Sequence, residues 1–315
     1  MMFDYTCLGF ITFDCLGRPV ADIPPGHGTY FIDELTLAVS GAAGSAAIVG
    51  AKHGMKVQAV GGVGDDDMGE WVLLKLQGFD IDVANMELCP AFTTSSSIVT
   101  TRPNGERPAL HKKGATGGFW VRDSQIDAVL DTKILHVGGV GLMDAMDQGR
   151  TREVMQAAKT KGCITTLDVF ASTREDLGLI EPLLPYTDYF MPSEEEAEAL
   201  TGLSDFDAIA AELLSMGVGC VVLTLGERGA MYHDRSGNQF RMPAFDVEVV
   251  CTCGCGDCFN GGFATGLHLG LSPEECVRLG QASSAQNVMG LGSQAVVQDL
   301  DTTLGFMRST PTKEA

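Results

Sequence analysis

From about residue 133 the chain alternates short apolar runs with helix-periodic segments, and no other feature restricts its fold as strongly. Lys133-Ile134-Leu135-His136-Val137 reads as a strand, 149–162 as a helix, and Ile164-Thr165-Thr166-Leu167-Asp168 as a strand that ends on an acid. Tyr189-Phe190-Met191-Pro192 leads into a helix over Ser193 to Gly202, with Ser193 as its cap and Glu196 at the capping-box position. Cys220 to Leu225 is another buried strand, turning at Gly226. The first half keeps the same rhythm. Residues 5–13 form a first strand with Asp14 just beyond its end, Ser40 to Ala51 is a tiny-residue turn running into a helix that stops near Gly54, and Lys56 to Val60 is a strand. Gly61-Gly62-Val63-Gly64 then closes on Asp65-Asp66-Asp67, acids that suit the cap of a helix over Met68 to Leu76 better than a metal site. Alternation of this kind predicts a mainly parallel sheet with helices on both faces.

Two stretches interrupt the rhythm. Arg18 to Phe31 is rich in Pro and Gly, and 93–113 reads as a β-hairpin about Asn104-Gly105. These predict a small β-rich lid from 15–38 and 92–115 over an α/β core of 1–14, 39–91 and 116–307, with a flexible polar tail at 308–315.

Charge and motifs narrow the function. Lys plus Arg total 21 against 41 Asp plus Glu, a formal charge of −20, which argues against a nucleic-acid partner. No apolar run is long enough for a bilayer, and the N-terminus lacks the basic region of a signal peptide. The 10 cysteines form no evident disulfide framework, so reduced thiols in a cytoplasmic protein are expected. G-x-G-x-x-G, Gly-Lys, H-E-x-x-H and G-x-S-x-G are all missing. A phosphate-handling chain therefore needs another solution.

Cys251-Thr252-Cys253-Gly254-Cys255-Gly256-Asp257 supplies one. Phe259, Phe263 and Leu267 recur every four residues, so a helix begins near Gly256 or Asp257. Gly254 and Gly256 let the backbone before it form a nest of N–H donors, and the helix N-terminus adds positive potential, which makes an anion site. Asp257 would repel a phosphate there. It either caps the helix or accepts a proton from a hydroxyl that attacks that phosphate.

Several segments together resemble the ribokinase-like, or PfkB-type, carbohydrate kinase family over nearly the whole chain. The family's Asp-Thr-x-Gly-Ala-Gly-Asp signature has its counterpart in Cys251 to Asp257, with Phe259-Asn260-Gly261-Gly262-Phe263 behind it. Gly61 to Gly69 is similar to G-x-x-G-x-D-x-x-G, Ser193 to Glu196 to N-x-x-E, and Thr224 to Gly229 to T-x-G-x-x-G. The resemblance implies a three-layer α/β/α core with a small β lid, and an ATP-dependent, magnesium-using kinase of a sugar, or alternatively of a nucleoside. It makes Asp257 the base and the Gly254, Cys255 and Gly256 amides the anion hole. It places Glu196 on magnesium through water, and Thr224, Gly226 and Gly229 near the nucleotide phosphates. Asn287 falls in the adenine pocket, while Asp14, Gly41 and Ser45 fall against the substrate. It also implies a homodimer through the lid.

The chain departs from the family at Ser40 for Gly, Ser45 and Ser193 for Asn, Ala42 for Lys, and Cys251 for an Asp. Ala42 gives no support for a phosphosugar. A thiol is a poor ligand for hard cations, so Cys251 leaves open whether a monovalent cation activates the protein. The same substitutions motivate a reading of another class, a sugar-binding protein that has lost turnover. The crowding of Cys251, Cys253, Cys255 and Cys258 raises a soft-metal site as a further alternative. A thiol at a helix N-terminus is expected to have a lowered pKa and to make the protein sensitive to oxidation.

Overall fold

The computed structural model describes residues 2–314. Among them the main sheet has eight strands, in the spatial order Gln239–Met242, Ala230–Asp234, Cys220–Thr224, Tyr189–Phe190, Ile164–Val169, Thr132–Val140, Phe3–Gly9 and Val57–Val60. The first two pairings are antiparallel and the other five parallel. Side chains alternate across the sheet, so each buried strand serves two cores. Cys220 and Val222 pack on Phe259, Phe263 and Val277, while Val221 and Leu223 join Val154, Leu200 and Leu213 on the other face. Helices Ala42–Lys52, Cys255–Leu269 and Pro273–Val288 therefore cover one face, and Arg150–Lys161, Glu194–Thr201 and Phe206–Ser215 the other. The result is the three-layer α/β/α arrangement. Asp66 caps its helix by accepting from the Gly69 N–H at 2.9 Å, and the Ser193–Glu196 capping box is formed.

A second sheet stands over the carboxyl ends of the main strands. Its order is Glu34–Ser40, Thr12–Arg18, Ser96–Thr100, Ala109–Lys112. One expectation changes here. The apolar run read as a single strand over 5–13 is two strands in two sheets, and Asp14 lies inside the second, opposite Ala38 and Ser97. The break is at Gly9, whose φ of 140° and 2.0 Å approach of a would-be Cβ to the Gly138 carbonyl oxygen admit no side chain. Hydrophobicity alone could not locate it, because both strands are buried.

The segment expected as a polar tail makes contacts with the core. The helix Leu300–Ser309 is followed by a bridge from Thr312 to Phe245, and Lys313 donates to Glu227 at 3.0 Å. No helix among the described residues is long and apolar enough to cross a membrane.

Candidate active site

The Cys251–Asp257 segment ends in a left-handed Gly254, φ 72°, which is the N-cap of Cys255–Leu269. The helix thus starts one residue earlier than its periodicity suggests. The first ladder bond runs from the Cys258 N–H to the Gly254 carbonyl, so the amides of Cys255, Gly256 and Asp257 stand outside the helical ladder. No side chain caps this helix. Asp257, in its first turn, is free of the capping role and lines a cavity of about 570 Å³ with Asp14, Gly41 and Asp168. Burial pushes its carboxyl up to about 6, against the pull of Arg107 and the Ser45 hydroxyl.

A second cavity of about 250 Å³ adjoins the first and shares Thr224, Gly226, Thr252, Cys255 and Gly256 with it. Phe245, Val247, Val249, Ala285 and Val288 give it an apolar lining. Gly229 lies at its edge with φ 98°, where a Cβ would sit 2.0 Å from the Met242 carbonyl oxygen.

Five further carboxyls line the larger cavity, those of Asp14, Asp168, Glu194, Glu195 and Glu196. Asp168, at the carboxyl end of its strand, accepts from Asn260. It is held well above the usual carboxylate range by burial and by the charges of Glu196 and Asp257. Glu196 accepts from the Ser193 amide at 2.9 Å and hydroxyl at 3.0 Å, and burial raises its pKa too. Asp14, only 4% exposed, is raised by burial and opposed by the Ser97, Ser40 and Thr12 hydroxyls. A carboxyl whose folded pKa exceeds its unfolded value binds more protons when folded, so its contribution falls as pH rises through the folded value. Thermal denaturation should therefore show the ligand-free protein gaining about 2–5 °C between pH 7 and pH 5. Asp168→Asn should remove part of that gain. Below about pH 4 the trend reverses, because Asp66 and Asp234 have lowered values and lose their bonds when protonated. A Tm that falls from pH 7 to pH 5 would contradict the assignment.

Two expected contacts are placed differently. Ser45 is fully buried in its helix, behind Asp257 rather than on the cavity wall, and its hydroxyl has no partner of hydrogen-bonding geometry. Asn287 is fully buried as well. Its amide donates to the Cys253 carbonyl at 2.7 Å and its oxygen accepts from the Gln294 N–H at 2.6 Å, so it ties the helix Pro273–Val288 to the glycine turn instead of lining the smaller cavity. Thr224, Gly226, Gly229, Gly41, Asp14 and Glu196 do line the cavities.

The expected low thiol pKa is also overturned. Burial pushes Cys253 and Cys255 up to about 12, and the Cys255 thiol donates to the Thr252 carbonyl at 3.0 Å. Desolvation of the thiolate outweighs the helix terminus here. Cys251 sits in an apolar cluster with Leu16, Val99 and Leu291, its sulfur 3.4 Å from the Thr101 hydroxyl. All ten cysteines are unpaired, and no cluster of three metal-ligating side chains occurs among the described residues.

Four residues of the cavities are not singled out by the sequence: Asp168, Arg107, His111 and Lys313. Asp168 carried a visible signal, an acid at a strand's carboxyl end. Arg107 and His111 lie in a hairpin whose docking decides which side chains face inward, and Lys313 lies in the segment expected as a tail.

Comparison with known proteins gives the family and the fold. The chain is 28% identical over 291 residues to the cytidine kinase of Thermococcus kodakarensis, covering 89% of this chain and 94% of that one. It is 27% identical over 315 residues to the ribokinase of Haemophilus influenzae, with 96% and 97% covered. The structure of Arabidopsis thaliana ribokinase complexed with ribose and ATP superposes with a TM-score of 0.84 at 21% identity, covering 98% and 99%, so the fold is that of ribokinase. The sequence profile of the pfkB family carbohydrate kinases matches residues 6–300, nearly the whole chain, and the protein belongs to that family.

Proposed function

We propose that this chain is an ATP-dependent kinase that phosphorylates a hydroxyl of a sugar or sugar-like acceptor. The observation that carries the reading is the meeting of two cavities at the Cys255–Gly256 amides, with the Asp257 carboxyl on the larger side. The acceptor occupies the larger cavity between Asp14, Gly41 and Asp257. The nucleotide base occupies the apolar one, and its phosphates pass Thr224, Gly226 and Gly229. Asp257 takes the proton from the attacking hydroxyl, and the free amides of the turn face the charge that develops on the transferring phosphoryl oxygens. Small-sheet residues form the lid that excludes water.

Magnesium fits this site as a hydrated ion. Asp168, Glu196 and Asp257 repel one another, and the Asn260 side-chain oxygen is buried without a partner, a set that a divalent cation would relieve. Glu196 and Asp168 would hold it through water. When bound it neutralises charge on the phosphates. A nucleoside acceptor is the second reading, favoured by the similarity to a cytidine kinase. Unpaired thiols throughout suit a cytoplasmic enzyme.

The lid's outer face supports a homodimer. Leu37, Cys15, Ile98 and Leu110 align in one row across its four strands, and the three aliphatic side chains are 46%, 56% and 69% exposed. Sedimentation velocity should give a dimer, and Ile98→Asp a monomer; a monomeric wild type at micromolar concentration would exclude this assembly.

The function is tested by acceptor-dependent ATP consumption over a panel of sugars, sugar acids and nucleosides. At least one acceptor should raise consumption in the wild type. No acceptor-dependent turnover, with ATP still bound, would favour the reading of a binding protein that has lost catalysis.

A further inference from the structure

We propose that Arg107 is a catalytic residue, a lid arginine whose guanidinium meets the transferring phosphoryl group from the side opposite the Cys255–Gly256 amides. The proposal rests on the kinase reading above.

The larger cavity is lined by Asp14, Asp168, Glu196 and Asp257, and Arg107 is the only Lys or Arg side chain on its wall among the described residues. The other basic group, His111, has its pKa lowered by burial and shares a hydrogen bond with Ser97 at 3.0 Å. A phosphoryl group entering this cavity brings negative charge into a ring of carboxyls. A permanent cation aimed at it changes the balance most where charge develops.

Arg107 is available for that task. Its neighbour Glu106 is paired with Arg102 at 3.2 Å, and Arg107 makes no ion pair or hydrogen bond among the described residues. Its position is fixed by the hairpin turn that carries it. The Thr252 hydroxyl donates to the Gly105 carbonyl at 3.5 Å, Thr101 meets the Cys251 thiol, and Gly105 packs so closely on Val249 that a Cβ would lie 3.2 Å from that side chain. The lid turn thus rests on the segment leading into the amide turn. The groups that feel its charge are Cys253, Asp257, Cys255 and Cys251, all of the amide turn, whereas Asp14 at the acceptor end faces His111. Together with the Thr252–Gly105 and Thr101–Cys251 contacts, this sets Arg107 beside the amide turn, at the end of the cavity proposed for the phosphoryl group.

In the transfer, the acceptor hydroxyl oxygen bonds to the γ-phosphorus as the bond from that phosphorus to the β,γ-bridging oxygen breaks. The bridging electron pair leaves with ADP and the hydroxyl proton goes to Asp257. Arg107 donates N–H bonds to the equatorial oxygens and exchanges no proton, since a guanidinium stays charged.

The test compares wild type, Arg107→Ala and Arg107→Lys, first by binding of Mg-ADP with and without aluminium fluoride, then by kinetics on the acceptor found in the panel. Arg107→Ala should bind Mg-ADP alone as the wild type does and lose at least about tenfold in the added affinity that aluminium fluoride confers. Its kcat should fall about 10²–10³-fold with acceptor KM little changed, Arg107→Lys should recover only a small part, and free guanidinium should partly restore Arg107→Ala. Equal fluoride-dependent affinity in wild type and Arg107→Ala overturns the proposal alone. A raised acceptor KM at unchanged kcat also overturns it, because Arg107 would then hold a charge on the acceptor itself. A wild type that binds no Mg-ADP, with or without fluoride, overturns both this proposal and the kinase reading.

Discussion

Replacing Asp257 by Ala or Asn is expected to reduce acceptor-dependent ATP consumption by about 10³-fold or more, with nucleotide affinity changed only slightly. The two substitutions separate charge from shape. Asn preserves the size of the side chain and its place in the first helical turn but cannot take a proton, so its loss should nearly equal that of Ala. Binding should survive because the smaller cavity, proposed for the nucleotide, is walled by Phe245, Val247, Ala285 and Val288, none of which depends on the carboxyl. Stability should move the other way. Burial already pushes Asp257 up to about 6, so removing the charge relieves a folded-state penalty at pH 7 and Tm should rise. The remaining activity of the wild type should fall as pH drops below about 6, where the base becomes protonated. An Asp257→Asn protein retaining more than a tenth of wild-type kcat would remove Asp257 from the role of base.

The second large effect separates two glycines of one turn. Gly256 has nothing within 4 Å of where a Cβ would stand and lines both cavities, so Gly256→Ala leaves the fold intact and places a methyl group in the space proposed for the phosphoryl group. Its activity should drop about 10²-fold at nearly unchanged Tm. Gly254 is the opposite case. Its φ of 72° is unfavourable to any side chain, and a Cβ would stand 2.2 Å from the Ser293 hydroxyl. Gly254→Ala should therefore cost about 1–3 kcal/mol, visible as a fall in Tm, besides disturbing the amides. Circular dichroism melts and steady-state kinetics on both variants check the contrast. A fully active Gly256→Ala would refute the location of the anion hole.

These residues also mark how far the sequence could be read. The main sheet was legible because its strands are buried on both faces and separated by periodic helices, so Val221 to Leu223 announces itself by composition alone. Glycines were legible wherever a turn demands positive φ, which is why the 254–257 turn stood out. What failed was relational. Ser45 and Asn287 looked like ligand contacts by position along the chain, yet burial turns one behind Asp257 and the other into a brace for the turn. Asp14 was recognised as a site candidate, but its strand was assigned to the wrong sheet. The Cys255 thiol was judged by its place at a helix terminus, and the depth at which it lies reversed the sign of its shift.

The chain passes between the two sheets near Phe10, Gly41, Ser95 and Gly114, and the crossings are bonded to one another. The Ala43 amide donates to the Phe10 carbonyl at 3.0 Å, the Phe13 amide to the Ser95 carbonyl at 2.9 Å, and the Ser95 hydroxyl to the Lys113 carbonyl. A plate fastened to a base at several linked points resists sliding and twisting far more than tilting. Of its six rigid-body freedoms, rocking is the one such a seam leaves soft. The Thr252–Gly105 and Thr101–Cys251 contacts close that angle at the far side, so the volume offered to an acceptor and the distance of Arg107 from the amide turn are set together.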